Sequence, residues 1–186
     1  MTYDFQCVIL THGEKGTPHL EELRSTNLGL EVEVWKSKDV GKLECDANIY
    51  HWSVENKATQ RILFLEYDTR VSGDLNKYYP DTGLDLEAAA YFPDNFVGPL
   101  ASSLPAEMQS SACLVAPLSG VMLSARALDY LSKSGAYSQH CFGELRIATV
   151  LKHGGFSIAQ NDRLTHIKCF KKLLPDQESD FIHPYK

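Results

Sequence analysis

The segment RILFLEYDTRVSGDL, Arg61 to Leu75, places Ile62, Leu63, Phe64 and Leu65 in one run and follows them at once with Glu66, Tyr67 and Asp68. An unbroken apolar run bounded by polar residues reads as a strand buried on both faces, the kind found inside a parallel sheet. Two carboxylates separated by one residue then stand at its carboxyl end. In an extended backbone, residues two apart point the same way, about 7 Å from each other at roughly 3.3 Å per residue, with Tyr67 opposite. Like charges so placed repel unless a proton or a cation intervenes. Paired oxygen ligands suit Mg²⁺ or Mn²⁺, ions commonly shared between one or two carboxylates and the phosphates of a substrate. The alternative is an acidic turn that holds no ligand.

Working outward, CVILT (Cys7 to Thr11) reads as a first buried strand and HGEKG as a loop. Thr17 and Pro18 then open a helix to about Arg24, with Thr17 as N-cap. LEVEVW, Leu30 to Trp35, alternates as a second strand, and Asp46 to about Lys57 forms a helix before the RILFL strand. Strands alternating with helices predict βαβ units, hence an α/β fold with a mostly parallel central sheet flanked by helices. Between Ser72 and about Pro105, Gly73, Pro80, Gly83, Pro93, Gly98, Pro99 and Pro105 predict a long irregular excursion with short helical turns. CLVAPLSGVMLS, Cys113 to Ser124, predicts a strand or a pair of strands. Ser124 then caps the helix ARALDYLSKSG, which Gly135 ends. A further helix runs from about Glu144, GFSIAQ is a short last strand, and the polar tail from Cys169 contains DFIHPYK. Trp35 and Trp52 read as core. No internal repeat is found.

The 186 residues are 44% hydrophobic and 23% charged, which suits one soluble domain with a substantial core. No window approaches the roughly 18 to 20 apolar residues of a membrane span. MTYDFQCVILTHGEKG lacks a basic n-region and a small-residue cleavage site, so no signal peptide is expected. Cys7, Cys45, Cys113, Cys141 and Cys169 are scattered, odd in number and form no CxxC, as suits free thiols in a reducing, cytoplasmic compartment. The histidines show no HExxH, and the adjacent His140 and Cys141 do not by adjacency make a nucleophile and base. A net charge of -6 argues against nucleic acid as the main partner.

The order of these segments resembles the GT-A class of nucleotide-sugar-dependent glycosyltransferases. VILTHG is similar to that class's first strand and nucleotide-contacting loop, and LFLEYDTRV to the strand ending in its DxD motif, here a Glu-x-Asp variant. SGVMLSARALDYL resembles the strand–turn–helix on the acceptor side. FGELRIATVLKHGGFSIAQ resembles the region where inverting members carry their general base, although Glu144 is followed by Leu145 where an "ED" pair has a second acid. DFIHPYK is similar to a closing segment from which some members give the metal a histidine.

The resemblance implies one catalytic domain over 1-186, with a nucleotide-binding half to about 75 and an acceptor half from about 76. The chain is short for the class, as suits a minimal enzyme or one module of a longer polypeptide. By the same resemblance, Thr11, His12, Gly13, Asp46, Glu66, Tyr67 and Asp68 would contact the nucleotide, with Asp46 at the base or ribose or, alternatively, only a helix N-cap. Glu66, Asp68 and His183 would hold Mn²⁺ or Mg²⁺, with His166 a rival to His183. Arg70, Ser119 and Gly120 would contact the acceptor or a phosphate. Glu144 would be the catalytic base, or else an acid favoured by its helix dipole. The implied partners are a nucleoside-diphosphate sugar, UDP by frequency in the class, and a glycan or other hydroxyl acceptor.

Two other functions fit the sequence less well. A phosphohydrolase of the haloacid dehalogenase kind needs an aspartate nucleophile where Glu66 stands, and Thr or Val where Arg70 stands. A non-catalytic nucleotide-sugar-binding module would keep the site without turnover. GEKGT falls short of the GxxxxGK[ST] phosphate loop of kinase-type chemistry.

Overall fold

The computed structural model describes residues 2–12, 15–37, 46–92, 100–134, 143–164 and 181–182. Ten strands are described: β1 (Phe5–His12), β2 (Val32–Ser37), β3 (Arg61–Glu66), β4 (Arg70–Val71), β5 (Leu86–Ala88), β6 (Ala90–Phe92), β7 (Leu114–Ala116), β8 (Val121–Leu123), β9 (Ile158–Gln160) and β10 (Phe181–Ile182). The helices are α1 (Leu20–Thr26), α2 (Ala47–Glu55), α3 (Ala125–Lys133) and α4 (Gly143–His153). Six strands make the central sheet in the order β2-β1-β3-β8-β5-β9, while β4 pairs with β10 and β6 with β7. β1 is parallel to β2 and β3, β8 is antiparallel to β3 and β5, and β9 is parallel to β5. All strands of this sheet except β8 therefore run in one direction, and their carboxyl ends share one edge.

The apolar run of β3 sets the layers. Ile62 and Phe64 face a core with Val8, Leu10, Ile49, Trp52, Leu128 and Ile147, so α2, α3 and α4 cover that side. Leu63 and Leu65 face the opposite core with Phe5, Cys7, Ile9, Leu23, Val71, Leu75 and Tyr79. All four apolar residues of β3 are 2% exposed or less. Burying each stabilises the fold by about 1.5–3 kcal/mol relative to exposure. Phe64 meets Trp52 edge to face at 5.4 Å, and the Trp52 indole N–H donates to Glu33 of β2 at 3.0 Å. Trp35, expected in the core, is half-buried and packs against its rim. Among the described residues, no helix is long and apolar enough to cross a membrane.

The structure corrects several boundaries. α1 begins at Leu20 with His19 at the N-cap, because the Thr17 carbonyl is taken by the Leu20 N–H at 3.2 Å in a preceding turn. β2 begins at Val32, since the Leu30 N–H still donates to Asn27 at 3.0 Å behind α1. The excursion after Ser72 holds a strand of the main sheet, β5, with Leu86 and Ala88 fully buried. Glu87 hid it by interrupting the apolar pattern. Its buried carboxylate accepts from the Thr82 hydroxyl at 2.5 Å and the Asn161 amide at 3.3 Å. CLVAP and GVMLS form two strands in different sheets, β7 and β8. Ser124 caps α3 as expected, accepting from the Ala127 N–H at 3.1 Å. Cys7 and Cys113 are buried free thiols. Cys45, Gly135, His140, Cys141, His166 and Cys169 lie outside the described residues.

At the amino edge, Asp85 ties β5, β9 and α3 together. Its carboxylate accepts from the Ser124 hydroxyl at 2.8 Å, Arg126 Nε at 2.6 Å, the Ser157 N–H at 2.9 Å and the Ser157 hydroxyl at 2.8 Å, and it also pairs with Arg126 Nη2. Burial alone would raise the carboxyl's pKa, but Arg126 and the donors of Ser157 and Ser124 outweigh it and hold it well below the usual range. A depressed carboxylate gives stability that is fully present above its unfolded pKa of about 3.9 and lost as pH falls towards the folded value. Asp85→Asn, which turns charge-assisted hydrogen bonds into neutral ones, is therefore expected to cost about 1.5–3 kcal/mol at neutral pH. Urea denaturation at stepped pH should also show the variant losing less stability than the wild type below about pH 4. Equal acid sensitivity would mean that this carboxylate does not carry the effect.

Candidate functional site

Glu66 ends β3 beside Leu10 of β1, and Thr11 and His12 carry β1 past it along the carboxyl edge. The Thr69 N–H donates to the Glu66 carbonyl at 3.0 Å, closing Glu66, Tyr67, Asp68 and Thr69 into a tight turn. Both carboxylate residues and Tyr67 are half-buried. Ser119 braces the turn from behind. Its hydroxyl accepts from the Glu66 N–H at 3.1 Å and shares a hydrogen bond with the Thr69 hydroxyl at 2.5 Å. Gly120 donates its N–H to the Phe64 carbonyl at 2.8 Å and accepts from the Tyr79 hydroxyl at 2.8 Å. Its φ of 79° favours glycine. The structure thus places Ser119 and Gly120 in the buried support of the acidic turn. Thr11 is buried too, donating its hydroxyl to the Trp35 carbonyl at 3.3 Å.

In front of the turn, Lys15, Gly16, Thr17, Pro18 and Tyr67 line an open cleft. Lys15 Nζ lies 2.6 Å from the Tyr67 hydroxyl and 4.5 Å from the ring centroid. This hydrogen bond raises the pKa of the exposed ammonium, and the charges of Asp68 and Glu66 act in the same direction. Arg70 leads away from the turn and forks onto Glu22 of α1 through Nε at 2.8 Å and Nη2 at 2.7 Å. That guanidinium lowers the pKa of the Glu22 carboxyl. β10 pairs antiparallel with β4, Phe181 opposite Val71 and Ile182 opposite Arg70. The step from Phe181 to Ile182 therefore runs towards Thr69 and Asp68. Gly13, His183 and the side chain of His12 lie outside the described residues.

Asp46 and Glu144 stand at the amino ends of α2 and α4. Each of these helices leads back into a strand, β3 or β9, that points to the carboxyl edge, so both helices begin at that edge. Asp46 occupies the N-cap position of α2 but makes no side-chain cap bond. Instead it takes the Arg146 fork, Oδ2 from Nε at 2.9 Å and Oδ1 from Nη2 at 2.7 Å. The side chains of Arg146 and Asp46 are 4% and 2% exposed, so the pair is internal. Gly143 fits because any Cβ there would lie 2.6 Å from Asp46 Oδ1. Glu144, half-buried, follows directly in the first turn of α4. The pair thereby fixes how that turn meets α2.

Sequence reasoning missed Lys15, Glu22, Thr69 and Arg146. Lys15 lies in GEKGT, whose spacing carries no signal beyond a failed match to a phosphate loop. Arg146 carried a signal of another kind: it lies among Leu145, Ile147 and Ala148 on a helix whose turns are almost wholly buried, and a buried guanidinium needs an acid.

The donor set at the turn is two carboxylates. Among the described residues, no group of three or more His, Cys, Asp and Glu side chains suits a metal ion. Two carboxylates alone would leave most ligand positions of a hard cation to phosphates and water.

No protein family and no curated protein matches the sequence. Among solved structures the chain is similar to the apo-form glycosyltransferase GlyE of Streptococcus pneumoniae TIGR4, with 11% identity and a TM-score of 0.40. The likeness covers 83% of this chain and 45% of that one, so this chain spans less than half of GlyE's length.

Arg146→Met leaves a buried carboxylate without its fork and is expected to cost about 3–5 kcal/mol of stability. Adding Asp46→Asn should recover part of that loss. A double variant as unstable as the summed single variants would show that the two residues are not coupled.

Proposed function

We propose that the chain is a metal-dependent glycosyltransferase that moves a sugar from a nucleoside-diphosphate sugar, UDP first among the candidates, to a hydroxyl acceptor with inversion. The observation that carries this reading is the Glu66–Asp68 turn at the common carboxyl edge of β1 and β3, braced by buried Ser119 and Thr69, with Tyr67 between the two acids lining an open cleft. In open α/β sheets ligands bind just outside that edge.

In this reading Glu66 and Asp68 would hold Mn²⁺ or Mg²⁺, with His183 the further ligand that the resemblance implies. The ion, when bound, neutralises charge on the departing diphosphate. Thr11, His12, Gly13 and Tyr67 shape the nucleotide side. Glu144 takes the proton of the acceptor hydroxyl as its oxygen bonds to the anomeric carbon and the bond from that carbon to the phosphate oxygen breaks. Asp46 acts on the site through Arg146 and the first turn of α4. Arg70 acts through Glu22, by fixing where β4 leaves the turn.

Thermal shift with UDP, GDP, ADP or CMP, each with Mn²⁺ or with EDTA, tests the reading. One nucleoside diphosphate at about 100 times its dissociation constant should stabilise the protein by roughly 2.7 kcal/mol, and EDTA should remove the effect. No shift with any nucleotide would overturn it. Asp68→Ala should lose metal-dependent nucleotide binding in calorimetry, and unchanged affinity would remove the metal assignment. Glu144→Gln should bind nucleotide normally while transfer falls by about 10²-fold or more. Wild-type turnover in that variant would exclude Glu144 as the base.

A further inference from the structure

Asn48 is 0% exposed, and neither the nitrogen nor the oxygen of its side-chain amide has a hydrogen-bond partner. Asn27 and Asn161, the other buried asparagines among the described residues, are each held by several bonds. A buried amide left unsatisfied costs stability that no contact in the ligand-free protein offsets, so a partner from outside the chain is called for. Asn48 is the second residue of α2, in the turn that begins at the carboxyl edge of the sheet. It shares a helix face with Trp52, four residues on, and helical side chains lean towards the amino end. Trp52 reaches both Phe64 of β3 and Glu33 of β2, so this face of α2 lies on the sheet. Glu66, two residues past Phe64 in β3, follows the alternation to that same side. Asp46, two residues before Asn48, joins the start of α2 to the turn of α4 that carries Glu144. We infer that Asn48 receives a vicinal diol of the nucleotide sugar, Oδ1 accepting from one hydroxyl and Nδ2 donating to the next. This rests on the reading of Glu66 as a metal ligand and Glu144 as the base.

The chemistry of the amide selects the ligand group. An amide has an acceptor end and a donor end, and here both are orphaned. Phosphate oxygens satisfy only the nitrogen. Neighbouring hydroxyls each donate and accept, so a diol satisfies both ends. Two rings flank the diphosphate of a nucleotide sugar, the ribose and the ring to be transferred, and both carry vicinal hydroxyls. The amide is closed to water in the ligand-free protein, so its surroundings part as the diol enters. The bonds then formed remove the cost of the orphaned amide, which makes that step favourable. A site built to bond hydroxyls in this way also rejects an analogue that lacks them.

Asn48→Leu removes both orphaned ends at similar volume, so the variant should fold and melt no lower than the wild type. Asn48→Ala repeats the test without relying on the fit of leucine. Calorimetry on the full chain in saturating Mn²⁺ compares UDP, 2′,3′-dideoxy-UDP, UDP-glucose, UDP-galactose and UDP-N-acetylglucosamine. If the diol is the ribose, both variants should bind UDP about tenfold more weakly than the wild type and 2′,3′-dideoxy-UDP equally well. If the diol belongs to the transferred ring, UDP affinity should hold. The UDP-sugar that the wild type binds most tightly should then lose about tenfold. Variants that bind every one of these nucleotides like the wild type would overturn the inference, as would a loss shared equally by UDP and 2′,3′-dideoxy-UDP. A wild-type protein that binds no nucleoside diphosphate would instead remove the glycosyltransferase reading and this inference with it.

Discussion

β3 is enclosed on both faces, and the rest of the architecture follows from that constraint. Four consecutive apolar side chains demand two cores, so helices must cover one side while α1, β4 and the segment around Leu75 and Tyr79 cover the other. Both edges of β3 are also occupied, by β1 and by β8. A chain so surrounded can release polar groups only at its ends. The carboxyl end is where Glu66 and Asp68 emerge, and there the turn is held by hydroxyls that β8's own approach brings up. The antiparallel entry of β8 is what sets Ser119 behind Glu66 and Gly120 against Phe64. An extra strand in the wrong direction is thus the support of the acidic turn.

Internal charges mark the two edges differently. At the amino edge Asp85 collects donors from two hydroxyls, one backbone N–H and a guanidinium that is itself two-thirds exposed, so water reaches one side of the pair. At the carboxyl edge Asp46 and Arg146 are both internal and join the first turns of two helices. A pair like that has a desolvation cost close to its attraction, so its effect is on geometry more than on stability. Here the geometry concerns the backbone that carries Glu144.

The first half of the fold was legible because β1, β2 and β3 obey simple patterns, two apolar runs and one alternation, with helices between them. In the second half α3, α4 and β9 were legible too, but β5 and the separate sheets of β7 and β8 were not, for identifiable reasons. β5 is three residues long and centres on a glutamate, and only partners from distant positions, Thr82 and Asn161, make that glutamate compatible with a core. CLVAPLSGVMLS reads as a strand or a pair of strands, and nothing local records that β7 and β8 join different sheets. The position of Glu66 and Asp68 at the carboxyl end of β3 was legible because an acidic pair directly follows an apolar run. The partners of Asp46 and Arg70 were not, since a contact across 100 residues, as between Asp46 and Arg146, leaves no trace in spacing.

The position of β5 also bears on how the chain reaches this state. During synthesis β5 leaves the ribosome before both of its neighbours, because β8 and β9 lie further along the chain. Until they arrive, β5 has neither of the strands that join it to the sheet, and Leu86 and Ala88 lie in a segment with unpaired backbone groups. Glu87, so awkward as a core residue, is a charge in the middle of that segment, of the kind that opposes pairing with strands of other molecules. Its carboxylate is taken out of water only when Asn161, just past β9, comes up beside it. The residue that conceals β5 from its pattern is thus also the charge that an unpaired β5 would present to water.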